Sequence, residues 1–229
     1  TPASIWKRSH DHHHNNNSKL FSASIGSFPI MTKEKFEDAP EKEKKIYLAV
    51  RHPLTIFFAY FTMFLFGMCF QSFVSSPRRH WDSLAVLIVH VAAAVLMIIF
   101  LGPLAWVLTL FLPLFLVHML GAYLFYAQHN FPEVKFRSNI EWCYEHAALE
   151  SSSYMAMNRF MQWATANIGF HHIHHINSKI PFYRLPEAMA QIPELQNAKV
   201  TRLTPSDIIK CLRLKLWDAS QNKMIALTD

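Results

Sequence analysis

Glycine is scarce in this chain, with 5 in 229 residues, and charge is scarce as well. Asp, Glu, Lys and Arg together make up 17%, against roughly 25% in an ordinary globular protein. Cysteine is nearly missing. Cys69, Cys143 and Cys211 lie far apart and form no CxxC pair, which argues against a disulfide framework and a cysteine-based zinc site. No internal repeat appears beyond a recurring histidine spacing, no low-complexity tract beyond Asn15-Asn16-Asn17, and no signal peptide ahead of the first motif. The formal charge of +6 forms no patterned basic stripe. The basic residues flank apolar segments, which fits placement at a membrane surface better than nucleic-acid binding.

What the chain has in quantity is apolar length: 52% of its residues are hydrophobic and 19 are Phe. Pro53 to Val74 carries no charge, and Leu84 to Tyr126 is apolar for over forty residues, broken only at Gly102-Pro103 and Pro113. A rise of ~1.5 Å per residue makes each stretch long enough to cross a hydrocarbon core of ~30 Å. The expected fold class is therefore all-α, an integral membrane helical bundle with a histidine-rich helical cap on the cytoplasmic side. Residues 1–52 are expected to form a cytoplasmic or interfacial region, with a solvated or interfacial helix over Lys33 to Lys45, residues 53–127 the transmembrane region, and residues 128–229 a second cytoplasmic part. Nine Lys and Arg precede Pro53, two lie in the loop 75–82, and eleven follow Asn130, which places both ends on the cytoplasmic side and the small Arg78-Arg79 loop away from it.

Two histidine runs stand on those two ends. His10, His13 and His14 have the spacing HxxHH, and His171, His174 and His175 repeat it. On a helix, i, i+3 and i+4 share a face, so each triplet is expected to converge on one point. Neutral imidazole suits iron, copper, zinc and nickel, and six ligands are too many for one tetrahedral zinc, so two metals sharing a site are expected. The first run is broken by Asp11, unlike a purification tag. His129, where the long apolar stretch ends, is the next ligand candidate. His12 and His172 fall off the shared faces and read as supporting or surface groups. His146, five residues after Glu141, is the weaker option, and His52, His80, His90 and His118 stand singly, as structural or interfacial groups. Both runs must reach the same metals, so the number of membrane crossings between His14 and His129 must be even. Of the three apolar segments 53–74, 84–101 and 103–126, one must then fail to cross, or the long stretch must be a single passage broken at Gly102-Pro103.

These stretches resemble the membrane fatty acid desaturase family. WKRSHDHHHNNN is similar to the second histidine box of the ω-6 (Δ12-type) acyl-lipid desaturases, QHNFP to their Gln-His motif, and NIGFHHIHHINSKIPFYRL to their third box and the segment after it. The resemblance runs from Trp6 to about Ala190. It implies His10, His13, His14, His129, His171, His174 and His175 as ligands of two iron ions that activate O2. The family's first box, a HxxxH-type pair, would precede Trp6 and has no counterpart here. Since the chain begins at Thr1 without methionine, it is expected to be part of a longer protein and inactive by itself.

The implied activity is O2-dependent insertion of a cis double bond into a fatty acyl chain carried by a lipid or a thioester, with electrons from ferredoxin or cytochrome b5. Removing hydrogen from an unactivated methylene is beyond any side chain alone and needs a metal cofactor. Trp163, Phe170, Phe182 and Tyr183 are candidates for the wall of the substrate channel. Two other readings compete: a lipid hydroxylase or ketolase of the same superfamily, and a non-catalytic metal-binding membrane protein. The second would hold its ligands near the bilayer midplane, whereas these lie outside the apolar spans.

Overall fold

The computed structural model describes residues 1–20, 27–137 and 140–227. Residues 21–26 of the first expected region, and 138–139 and 228–229 of the third, lie outside the described residues. The chain is mostly helical. In order come α1 (Ala3–Asn16), α2 (Lys33–Asp38), α3 (Glu41–Val50), α4 (Pro53–Phe57), a π-helical stretch Tyr60–Gln71, α5 (Ser72–Ser75), α6 (Trp81–Leu101), α7 (Pro103–Trp106) and α8 (Leu112–His129). After them come α9 (Tyr144–Glu150), α10 (Arg159–Ala164), α11 (His171–Ile176), α12 (Leu185–Gln191) and α13 (Pro205–Arg213). Helix α7 runs on into α8 without a break, giving one helix Pro103–His129 of 27 residues. By packing, the chain divides into one unit of Thr1–His12 with His52–Leu124 and another of His13–Arg51 with Phe125–Asp229.

In the first unit, α4 starts on a sequence-readable signal. His52 caps it by accepting the Leu54 N–H at 3.1 Å, and Pro53 sits at its first position, where its missing N–H costs nothing. The regular ladder then yields to the π-helical stretch. Tyr60, Phe64 and Cys69 are buried there, with Val86 and Leu87 of α6 and Phe111, Leu114 and Phe115 packed against them. Gly102 ends α6 with φ of 86°, a conformation that favours glycine, and Pro103 starts the next helix. The expected break at Gly102-Pro103 is thus a turn between two helices. Trp81–Leu101 and Pro103–His129 are each long and apolar enough to cross a membrane, and neither is buried inside the protein.

The second unit corrects the all-α expectation, because it contains two small sheets. β1 (Met31–Thr32) pairs in parallel with β4 (Leu216–Asp218), which pairs antiparallel with β5 (Lys223–Ile225). β2 (Tyr154–Ala156) pairs in parallel with β3 (Val200–Arg202). Strands of two or three residues are too short to show an alternating pattern, so no periodicity announced them. The expected helix over Lys33 to Lys45 is instead two, α2 and α3, separated at Ala39-Pro40, since proline disfavours a helical residue before it. Met31, Tyr47, Leu216 and Ile225 form one core. A second consists of Phe170, Ile173, Leu185 and Leu195.

Arg51 binds this unit together from its interior. It is fully buried and donates to the carbonyl of Pro29 at 2.8 Å, to Asn130 Oδ1 at 2.6 Å, to the Tyr126 hydroxyl at 3.1 Å and to the carbonyl of Leu214 at 3.2 Å. Lys215 donates to the Arg51 carbonyl at 2.6 Å. Burial, with Arg51 nearby, pushes the Lys215 ammonium down to about 8. A buried guanidinium is costly unless its donors find acceptors, and those of the two terminal nitrogens come from three separate segments: Pro29, the end of α8 (Tyr126 and Asn130) and Leu214.

Gly169, just before α11, is fixed by space. A Cβ there would lie 2.6 Å from the Met155 carbonyl oxygen and 2.7 Å from the Gln162 amide, and Met155 is held in β2 against Thr201. Gly169→Ala is therefore expected to destabilise by about 1–3 kcal/mol. Gly121→Ala, where a Cβ meets nothing within 4 Å, is expected to leave stability near wild type. Thermal unfolding of both variants in detergent checks this; equal melting temperatures would contradict it.

Candidate metal centre

Three helix ends supply the histidines of the second unit: the last turn of α1, the last residue of α8, and the whole of α11. Each is positioned by groups that bond outward. Beyond α1, the Asn17 amide donates to the Ala147 carbonyl at 3.1 Å and to the Ser152 hydroxyl at 3.0 Å, and the Asn17 carbonyl accepts the Trp142 indole N–H at 2.7 Å. On either side of His129, Gln128 donates to the Ile168 carbonyl at 2.7 Å, and Asn130 donates to the carbonyl of Cys211 at 2.7 Å. Helix α11 is only six residues long, too short to be stable alone. Ile173 and Ile176 anchor it in the second core, which leaves His171, His174 and His175 on its other side.

His13, His129, His171 and His175 bring one ring nitrogen each within 4.8 Å of one another. The Nε2 atoms of His13 and His129 are 3.0 Å apart, His129 and His171 2.8 Å, and His13 and His175 3.2 Å. His175 is also 3.2 Å from both His129 and His171. A second pair, His14 and His174, stands at 3.1 Å. The structure therefore divides each triplet. His171 and His175, at i and i+4, join His13 and His129, while His174 turns to His14. This corrects the expectation that each triplet meets at a single point: i+3 and i+4 diverge enough around the helix to serve neighbouring positions. His10 lies one turn before His14 on α1, in the other unit, and stacks on Trp6 with centroids 5.3 Å apart.

Hydrogen bonds cannot satisfy this cluster. The Nδ1 of His129 is 2.9 Å from the Ser151 carbonyl, which can only accept, so Nδ1 carries the proton and Nε2 offers a lone pair. The nitrogens of His13, His129 and His175 form a triangle of contacts, and each neutral nitrogen is either donor or acceptor. Among three, two must be alike, so one contact always opposes like with like. A shared cation removes the conflict by using every nitrogen as an acceptor. Nitrogens about 2.1 Å from one cation and at right angles stand about 3.0 Å apart, which the observed spacings match. The donor set suits iron, copper, zinc or nickel.

Burial first, then the neighbouring imidazoles, hold His171 and His175 well below the ordinary histidine value. Both rings thus stay neutral where a free imidazole begins to protonate. His172, fully buried, points elsewhere: its Nε2 donates to the Leu195 carbonyl at 3.1 Å, and burial pushes it down to about 4. His12 is half-buried and His146 exposed. His52 caps α4, His80 meets the Ser4 hydroxyl, His90 meets the Tyr60 hydroxyl and His118 the Leu114 carbonyl. None of these joins the cluster.

Of the proposed channel residues, Phe170 is buried in a core, while Trp163, Phe182 and Tyr183 are exposed. A small pocket beside His13 and His129 is walled by Phe28, Ile30, Phe125, Tyr126 and Phe136. Phe125 could have been found from sequence, since it stands four residues before His129 on one helix. The carbonyl of Ser151 and the guanidinium of Arg51 could not, because neither is near the histidines in the chain.

Because a proton and a metal compete for the same lone pair, a lowered histidine pKa moves that competition to lower pH. The expected outcome is divalent-metal affinity, measured with Co(II) by calorimetry, that stays level from pH 8 to about 6.5. A steady loss of tenfold per pH unit across that range would contradict it.

Residues 1–204 match the fatty acid desaturase family. The chain is 29% identical to a fatty acid desaturase of Bacillus subtilis (strain 168), over 96% of this chain and 62% of that protein. It is 24% identical to an sn-1 oleoyl-lipid 12-desaturase of Synechocystis sp., over 84% and 55%. It is 26% identical to a chloroplastic omega-6 fatty acid desaturase of Spinacia oleracea, over 84% and 43%. The chain thus spans 43–62% of the length of these curated relatives. With a match across nearly nine-tenths of its length and a buried histidine cluster drawn from both of its histidine runs, the chain belongs to the fatty acid desaturase family.

Proposed function

We propose that this chain is part of the catalytic unit of an O2-dependent fatty acyl desaturase, which introduces a cis double bond into an acyl lipid. The observation that carries the reading is the convergence of His13, His129, His171 and His175 on one point, in a chain of the desaturase family. These four would hold one iron, and His14 and His174 would contribute to holding a second. The remaining ligands would come from a first histidine box outside these 229 residues. The bound irons would supply the O2-derived oxidising power that C–H removal requires. Similarity to lipid 12-desaturases supports a glycerolipid-bound oleoyl-type substrate, with ferredoxin or cytochrome b5 as electron donor.

The protein's own part is then positional. The Ser151 carbonyl holds the His129 tautomer, and second contacts of this kind set ligand orientation. Phe125 and Phe136 keep water away from the histidine pocket and present an apolar surface to a methylene chain. The membrane placement follows from composition: α6 and the Pro103–His129 helix would cross, with the histidines on the cytoplasmic side.

In the full-length protein, His13→Ala, His14→Ala, His174→Ala and His175→Ala are each expected to abolish desaturation and to lower bound iron, since a lost ligand also loses affinity. The check is iron content with mass spectrometry of cellular fatty acids at equal expression. Near-normal double-bond formation in any of the four would refute the ligand roles, and products carrying an added oxygen would point to a hydroxylase.

A further inference from the structure

We propose that the pocket beside Arg51, in the second unit, binds a small monovalent anion of the size of chloride or bromide. The site stands on Arg51 and Ser27 and is independent of the iron chemistry.

The first observation is a buried charge without a counterion. Arg51 is fully buried. Its terminal nitrogens donate to the carbonyls of Pro29 and Leu214, to the Asn130 amide oxygen and to the Tyr126 hydroxyl, and all four acceptors are neutral. Among the described residues Arg51 forms no ion pair. The rings of Tyr47 and Tyr126 lie 5.7 Å and 5.0 Å from its central carbon, and a ring face offsets part of a charge without carrying one. Burial holds the Tyr47 hydroxyl above its ordinary range, so it stays protonated and supplies no negative charge.

A second cation adds to the excess. The Lys215 ammonium donates to the Arg51 carbonyl at 2.6 Å and likewise forms no ion pair among the described residues. Burial, and then Arg51, push it down to about 8, so Lys215 can shed its charge. A guanidinium cannot. The cost of burying that charge is therefore met by whatever occupies the space next to it.

The second observation is a pair of unused donors on one cavity. Arg51 Nε and the Ser27 hydroxyl are both buried with no hydrogen-bond partner among the described residues. Both residues line the same pocket, with Phe125 and Phe136 on its apolar side. The amides on its wall are already committed, Asn17 to Ala147 and Ser152, and Asn130 to Cys211 and Leu214. A water there would accept from both free donors, but its own two hydrogens would need acceptors, and a guanidinium offers none. An anion needs donors only, and it also neutralises the charge.

Size and chemistry select the anion. The cavity volume is about 20 Å³, room for one or two groups the size of water. Two free donors and aromatic walls suit a weakly hydrated halide. A phosphate would leave most of its oxygens unbonded there, each at a desolvation cost. Because Arg51 also holds Asn130, the residue after His129, an anion at this place steadies the end of α8.

The full-length protein in detergent tests this by thermal unfolding at constant ionic strength, with gluconate, too large for the cavity, exchanged stepwise for bromide. The melting temperature is expected to rise saturably, by roughly 3 °C at tenfold excess over the dissociation constant. Arg51→Met would remove four hydrogen bonds as well as the charge, so Ser27→Ala is the variant, which removes one free donor and no bond. Its half-saturation is expected at about tenfold more bromide. Anomalous scattering from crystals grown with bromide locates the ion, and a peak in the pocket beside Arg51 Nε is expected. No peak, with water in its place, overturns the proposal. So does a peak accompanied by a flat melting curve, which would mark an adventitious ion only. A rise that is undiminished in Ser27→Ala comes from halide elsewhere on the protein and overturns it too. Iron content and desaturation are read separately, so the desaturase reading survives any of these failures.

Discussion

The bond from His129 Nδ1 to the carbonyl of Ser151 decides which nitrogen of that ring faces His13, His171 and His175, and the neighbouring contacts exist to keep it in place. Gln128 and Asn130, on either side, reach the carbonyls of Ile168 and Cys211. A single turn at the end of a long apolar helix is thereby fixed in three directions. A free helix end would fray, and a frayed His129 could not hold an Nε2 within 3 Å of two other rings. The histidine cluster therefore depends on carbonyls contributed by the loop after α9, the turn before α11 and the end of α13.

Desolvation gives the same cluster its chemistry. Removing water from imidazoles favours their neutral form, so His171 and His175 keep lone pairs available. Neutral nitrogens crowded together cannot all pair with one another, and the fold must hold them against that mismatch. It does so with Ile173 and Phe170, which bury the opposite side of α11 and its leading turn, and with Gly169, whose missing Cβ lets that turn lie against Met155 and Gln162. In the proposed desaturase reading this arrangement would serve a metal centre, with nitrogen ligands from the cluster and an apolar side from Phe125 and Phe136.

The HxxHH spacing was legible because helix periodicity is local: once α1 and α11 form, i, i+3 and i+4 share a side whatever surrounds them. The break at Gly102-Pro103 was legible for the same reason, since one residue tolerates positive φ and the next cannot continue a ladder. Which rings stand beside the cluster was not legible, because proximity in sequence says nothing about which way a segment faces. The rings beside His13 and His129 come from residues 28, 125 and 136, and only folding brings residues so far apart in the chain to one wall.

The sequence by itself determined the helical content, the apolar spans, the identity of the imidazoles and their spacing along each helix, because each of these follows from side-chain type and a repeat of a few residues. Tertiary structure decided how the imidazoles were shared out, sending His174 to His14 and His171 with His175 to His13 and His129. It also decided that Arg51 would be the buried tie between Pro29, Tyr126, Asn130 and Leu214, and that Asp82 would cap α1. These are long-range pairings in which a charge or a lone pair finds its partner only after the backbone has closed around it, and no local pattern encodes that choice.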